Sequence, residues 1–162
     1  MSLSATTNAG VTKLLTRRLE QFGCVQVPSH GVSMYPFIKE GDNCLFKVVE
    51  PYGISEGDVI LYRTVKENLV GHRVIQIIHD EHNTRYICKG DTNCYPDAPV
   101  RSDRVLGKLV TIYRRGKAIH LDGRTRRLWT WAVLRIPLLL RMSRWAVIRL
   151  DIWRHRLEKL RK

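Results

Sequence analysis

Three short segments carry side chains that could act on one another: "GVSMYP" at 31–36, "GHRV" at 71–74 and "KGDTNCYPD" at 89–97. They supply a hydroxyl (Ser33), an imidazole (His72) and two carboxylates (Asp91 and Asp97). Serine is a weak nucleophile until a base takes its proton, and a carboxylate beside that base holds it in the right tautomer. These are the three group types that serine acyl transfer requires. Taken singly, each residue has a plainer reading. Ser33 could be a solvated loop hydroxyl, His72 a satisfied histidine within a sheet, Asp91 a turn residue after Gly90, and Asp97 a cap or turn residue beside Pro96. Taken together, each lying just before, on or after a strand pattern, they favour the catalytic reading. His72 is the one histidine flanked by a strand pattern in this way. His30 is a rival base only three residues before Ser33, and His79, His82, His120 and His155 read as surface residues. Met34 and Pro36 are expected to shape the turn and wall a substrate pocket.

Elements that must position these groups can be read from periodicity. Residues 8–22, "NAGVTKLLTRRLEQF", place Val11, Leu14, Leu15, Leu19 and Phe22 at helical spacing, with Asn8 as N-cap and Gly23 as stop. From 44 to 121, short runs rich in Val, Ile, Leu and Tyr alternate with Gly-Asp punctuation, which predicts strands joined by turns. These runs are "CLFKVV", "DVILYR", "LVGHRVIQII", "TRYICK", "VLGKLVTIY" and "AIHL", the last two joined as a hairpin through "RRG". The expected division is an N-terminal amphipathic helix over 1–23, a β domain over 24–123, and a basic helical extension over 124–162.

The 162-residue chain suits one domain with an extension, and its formal charge of +13 is unevenly spread. Residues 124–162 hold twelve Lys/Arg against Asp151 and Glu158, a net of +10. An anionic partner is therefore expected at that segment. On a helical wheel, Arg126, Arg127, Arg135, Arg141, Arg144 and Arg149 fall in one half, opposite Leu128, Trp129, Val133, Ile136 and Leu140. Pro137 would kink such a helix or begin a second one. The pattern suits a membrane interface, a protein core or a partner helix. No stretch reaches the roughly 20 apolar residues of a spanning helix. Four cysteines at 24, 44, 88 and 94 include no C-x-x-C pair, so neither a zinc site nor a disulfide framework is expected, and four buried or half-buried thiols are. No cofactor or metal is expected.

In order along the chain, Ser-Met-x-Pro at 33–36, Gly-Asp at 41–42, "GDVILYR", "HRVI" and "KGDTN" resemble the conserved boxes of the type I signal peptidase superfamily, which includes the LexA-like peptidases. The likeness covers about residues 30–112 and is closest to the branch that uses histidine in place of lysine as general base. It implies that Ser33 is the nucleophile and His72 the general base. It also implies that Asp97 orients the histidine, with Asp91 supporting or structural. The chain departs from the family at two places. A short amphipathic helix stands where a spanning helix usually precedes the serine, and Gly31 stands where many members carry a serine whose hydroxyl helps bind the oxyanion. The oxyanion hole would then rest mainly on the Ser33 backbone N–H and one further donor. Loss of one such donor elsewhere costs roughly 3–4 kcal/mol of transition-state stabilisation, which points to a slow enzyme.

The resemblance implies a mainly β, partly open barrel-like peptidase domain of the signal-peptidase/LexA type. The expected function is hydrolysis of a peptide bond after small residues in a leader, signal or precursor peptide. The substrate would lie extended along a strand edge, with the protein cytoplasmic or peripheral at the inner face of a membrane. Nucleic acid is not expected as a partner. Two other readings stand beside it: a LexA-like self-cleaving regulator, for which Ala9-Gly10 would be the scissile pair, and a non-catalytic module that binds peptide or lipid on the same scaffold.

Overall fold

A computed structural model describes residues 9–80 and 83–121. Among these residues there is one α-helix, α1 (Ala9–Phe22), followed by eight strands: β1 (Cys24–Pro28), β2 (Asn43–Lys47), β3 (Val59–Arg63), β4 (Leu69–Asp80), β5 (Asn83–Lys89), β6 (Val100–Arg101), β7 (Val105–Arg114) and β8 (Lys117–His120). The strands form one antiparallel sheet in the order β1-β2-β7-β3-β4-β5-β6, with β8 also on β7. The chain is thus mainly β, and the sheet is open rather than closed, with β1 at one end of the path and β6 at the other. The helical extension expected over 124–162 lies outside the described residues, as does the N-cap expected at Asn8. No helix among the described residues is long and apolar enough to cross a membrane.

β7 is the strand on which the others are assembled. Along one edge it pairs β2 from Lys108 to Tyr113, and along the other it pairs first β3 and then β8. The β7–β8 hairpin turns at Arg115 and Gly116, both at positive φ (49° and 76°), the backbone that a two-residue loop needs to follow the twist of its strands. "VILY" in β3 has no alternation because both of its faces are covered. Val59 and Leu61 enter a core with Leu19 of α1, Val27, Phe46 and Ile112. Ile60 and Tyr62 enter a second core with Val74, Tyr86, Cys88 and Val100. Full burial of one such aliphatic or aromatic side chain contributes about 1.5–3 kcal/mol.

α1 rests on the first core through Leu19, with Leu15 partly buried against it, and stops at Gly23 (φ 66°), whose N–H donates to the Leu19 carbonyl at 2.8 Å. The buried stripe is narrower than the spacing predicts. Leu14 and Phe22 are each 63% exposed, because the helix lies on the sheet along a line through Leu15 and Leu19 and these two residues flank it. The four thiols are free. Cys44 and Cys88 are buried and Cys24 is half-buried, but Cys94 is exposed, a departure from expectation explained by its place in the loop after β5.

At Gly107, a Cβ would lie 2.7 Å from the carbonyl oxygen of Lys47, where β7 crosses close to the end of β2. Gly107→Ala is expected to destabilise the protein by about 1–3 kcal/mol, read as a lower midpoint in urea unfolding, since backbone must move to admit the methyl.

Candidate active site

Ser33 sits in the connection between β1 and β2, and that connection is tied at its neck. Ser29 N–H donates to Asp42 O at 2.7 Å and Gly41 N–H donates back to Ser29 O at 3.0 Å. The buried Asp42 carboxylate accepts the Lys39 N–H at 2.8 Å and, in a forked pair, Arg114 Nε at 2.9 Å and Nη2 at 2.6 Å. Arg114 Nη2 also donates to Phe37 O at 2.8 Å. The Gly-Asp pair at 41–42 is therefore the lock of the serine loop. Met34 and Ile38 plug the loop into the first core, so Met34, expected to wall a substrate pocket, is a buried core residue, while Pro36 is half-buried.

A second turn, after β5, closes against the serine. Thr92 N–H donates to Ser33 O at 2.9 Å and Thr92 Oγ1 to Val32 O at 3.1 Å. A Cβ on Gly90 would lie 2.9 Å from Ser33 O, so glycine is what lets the two backbones approach. Asp91 points into the fold and holds Arg73 in a bidentate pair, Nε to Oδ1 at 2.8 Å and Nη2 to Oδ2 at 2.7 Å. Arg73 Nη1 donates to Gly57 O at 2.9 Å, and the guanidinium lies 4.7 Å over the Phe37 ring. Both charges are out of water, with Arg73 1% and Asp91 3% exposed.

His72 precedes Arg73 and so projects from the opposite face of β4. It sits across from Ile60 in the β3–β4 ladder. Its Nε2 is 2.9 Å from Ser33 Oγ and its Nδ1 is 2.6 Å from Asp97 Oδ2. An ionised carboxylate only accepts, so Nδ1 carries the proton and Nε2 is left to accept from the serine hydroxyl. Asp97 is placed by its own N–H donating to Cys88 O at 2.8 Å, and its Oδ2 also accepts the Tyr62 hydroxyl at 2.8 Å. A cavity of about 230 Å³ opens beside His72 and Asp97, lined also by Tyr62, Val65, Val70 and Pro99 among others but not by Ser33.

Of the residues expected here, the fold thus joins Ser33, His72 and Asp97 in one hydrogen-bonded run and sends Asp91 to Arg73. His30, His79 and His120 are exposed, and His82 and His155 lie outside the described residues. Tyr62 and Arg73 were not anticipated. The signal for Tyr62 was the hairpin register: with Arg63 opposite Leu69, Tyr62 falls on the His72 face, one diagonal step away.

Burial lowers the His72 pKa from the ordinary 6.5, against the opposing pull of the Asp97 hydrogen bond. Burial pushes the Asp97 carboxyl up, but the hydrogen bond from His72 and its charge, followed by the hydrogen bond from Tyr62, outweigh it and hold the acid below its ordinary 3.8. Serine hydroxyl, neutral imidazole and carboxylate anion therefore coexist near neutral pH. Because the folded His72 value is depressed, the unfolded chain takes up its proton first. The contribution of His72 to stability is complete above 6.5 and shrinks as pH falls from there towards the folded value. The Asp97 contribution is complete above 3.8 and is lost as pH falls through its own depressed value. No protein-family model and no curated protein matches the chain.

Removing one member of the Arg73–Asp91 pair leaves the other charge buried and uncompensated. Asp91→Ala is expected to destabilise the fold by about 3–5 kcal/mol in chemical denaturation, and the double variant Arg73→Met/Asp91→Leu to recover most of that loss.

Proposed function

We propose that the protein is a serine endopeptidase that hydrolyses a peptide bond after small residues in a leader, signal or precursor peptide. The observation that carries this reading is the hydrogen-bonded run from Ser33 Oγ through the His72 ring to Asp97 Oδ2, built from three segments that are distant in sequence. Ser33 Oγ attacks the scissile carbonyl carbon while His72 Nε2 takes the hydroxyl proton. The tetrahedral intermediate collapses to an ester on Ser33 as the His72 proton passes to the departing amine. Water then attacks the ester, with His72 again taking and returning a proton, which frees the carboxylic acid and the serine. Asp97 keeps the ring in place and balances the imidazolium charge.

The order of the segments, the open antiparallel sheet and the resemblance of the motifs together support a domain of the signal-peptidase/LexA type. The small-residue preference and a position in the cytoplasm or at the inner face of a membrane rest on that resemblance and on the basic residues of 124–162. Self-cleavage at Ala9-Gly10 is disfavoured because these residues open α1, whereas a peptide presented along a strand edge is extended.

Cleavage of a peptide library by the purified protein, scored by mass spectrometry beside Ser33→Ala and His72→Ala, tests the reading. Cuts after small residues are expected, and both variants should lose roughly 10³-fold or more in kcat/KM. Cleavage that survives in both variants would show that Ser33 and His72 do not carry it, and equal silence from all three folded proteins would point to the non-catalytic binding module. Since His72 must be neutral to act as base, the acid limb of kcat/KM is expected below 6.5.

A further inference from the structure

We propose that Tyr62 is a positioning residue for the His72–Asp97 pair, its hydroxyl fixing the carboxylate oxygen that receives the histidine N–H. The inference rests on the peptidase reading above and adds a fourth side chain to it. Two donors converge on one atom: His72 Nδ1 lies 2.6 Å and Tyr62 Oη 2.8 Å from Asp97 Oδ2. Their supports differ in kind. The Asp97 side chain is 28% exposed and sits in the loop between β5 and β6, where the neighbouring Tyr95 is exposed. The Tyr62 ring is fully enclosed in the second core, among Ile60, Val74, Tyr86 and Cys88. A carboxylate on a loop is therefore referenced to a donor that the sheet itself holds still.

The phenol suits this task because it is neutral. It stabilises the carboxylate anion without cancelling the charge that His72 needs opposite it when it becomes imidazolium. Burial, followed by the proximity of Asp97, pushes the Tyr62 phenol well above its ordinary range, so the donor is kept protonated. By withdrawing charge from Oδ2, the hydroxyl also moderates the pull of Asp97 on the His72 proton. The other groups near this cluster are Cys88 of β5, the Ser33 hydroxyl, Arg63 and Arg104 on the cavity wall, and, from the far side of β4 where it pairs with Arg73, Asp91, whose charge raises the His72 proton affinity. All of them remain in place when the single oxygen of Tyr62 is removed.

The test compares the full-length protein with Tyr62→Phe by NMR titration of the His72 ring and by the pH profile of peptide cleavage. The His72 midpoint is expected to rise by about half a unit or more, carrying the acid limb of kcat/KM with it. The value of kcat is expected to fall roughly ten-fold, with KM unchanged within about two-fold, because Tyr62 acts through Asp97. In an Asp97→Asn background the same substitution should add little. An unchanged His72 titration, or a loss that is fully additive with Asp97→Asn, would overturn the proposal and leave Tyr62 a packing residue. Should Tyr62→Phe fail to fold, 3-fluorotyrosine introduced at position 62 keeps the ring and strengthens the donor. The His72 midpoint should then fall, and no movement would again overturn the proposal. A wild-type protein that cuts no peptide would sink the peptidase reading alone, since the His72 titration judges Tyr62 without any activity.

Discussion

The arrangement depends on a buried ion pair that touches none of the groups proposed to react. Arg73 and Asp91 meet in a fork at 2.8 and 2.7 Å beneath β4, both shut away from water. Burying two charges is costly, and such a pair adds little net stability compared with well-packed apolar residues. Its consequence here is positional. Asp91 lies between Gly90 and Thr92, the residues that approach the Ser33 carbonyl, and six residues before Asp97. Fastening Asp91 to a β4 side chain therefore sets the turn that presses on the serine and the loop that carries the aspartate. The same guanidinium reaches Gly57 O and lies over Phe37, which brings the start of β3 and the serine loop to the same point.

Adjacent residues of β4 divide two tasks through the simplest property of a strand, that neighbours face opposite ways. Arg73 assembles the frame on one face and His72 meets Ser33 and Asp97 on the other. This division requires β3 to be covered on both sides, which is why "VILY" has no polar alternation. It also sets the electrostatics. A histidine at the margin of an apolar core loses hydration, which lowers its pKa, and the carboxylate that pulls the other way also accepts a second donor, the Tyr62 hydroxyl. A neutral imidazole beside an ionised aspartate follows from the packing alone.

Much of this was legible in the residues. The helix at 9–22, six of the strands and the β7–β8 turn follow from periodicity and turn chemistry, whereas the meeting of Ser33 and His72 with Asp97 and not Asp91 was implied only by the resemblance of the motifs. β1 was not picked out because "CVQVP" is short and ends in proline, tolerated there because the strand is at an edge. β6 was missed because two residues carry no period. The exposure of Leu14 and Phe22 was hidden because helical spacing marks a face but not how much of it a sheet will cover. Arg73 and Tyr62 escaped for a different reason: in sequence each looks like an ordinary strand residue, and only its tertiary partner, Asp91 or Asp97, gives it a role. The β3–β4 register sets Tyr62 on the His72 face, but loop docking brings Asp91 and Asp97 to these residues, and no local pattern encodes that docking.

Gly31 shows how a departure from a resembling family can be a matter of backbone. Many members of that family carry a serine at this point. Here the residue adopts φ 76°, in the left-handed region that β-carbons disfavour, although nothing lies within 4 Å of where a Cβ would be. The obstacle to a side chain is thus conformational and not a lack of space. A hydroxyl at position 31 would have to be bought with strain in the loop that delivers Ser33 to within 2.9 Å of His72. With the neck locked by Asp42 and Arg114 and the far side clamped by Thr92, the loop has little freedom to relieve that strain elsewhere. A side-chain donor two residues before the serine would therefore carry a backbone cost in this chain, in the loop whose shape places Ser33.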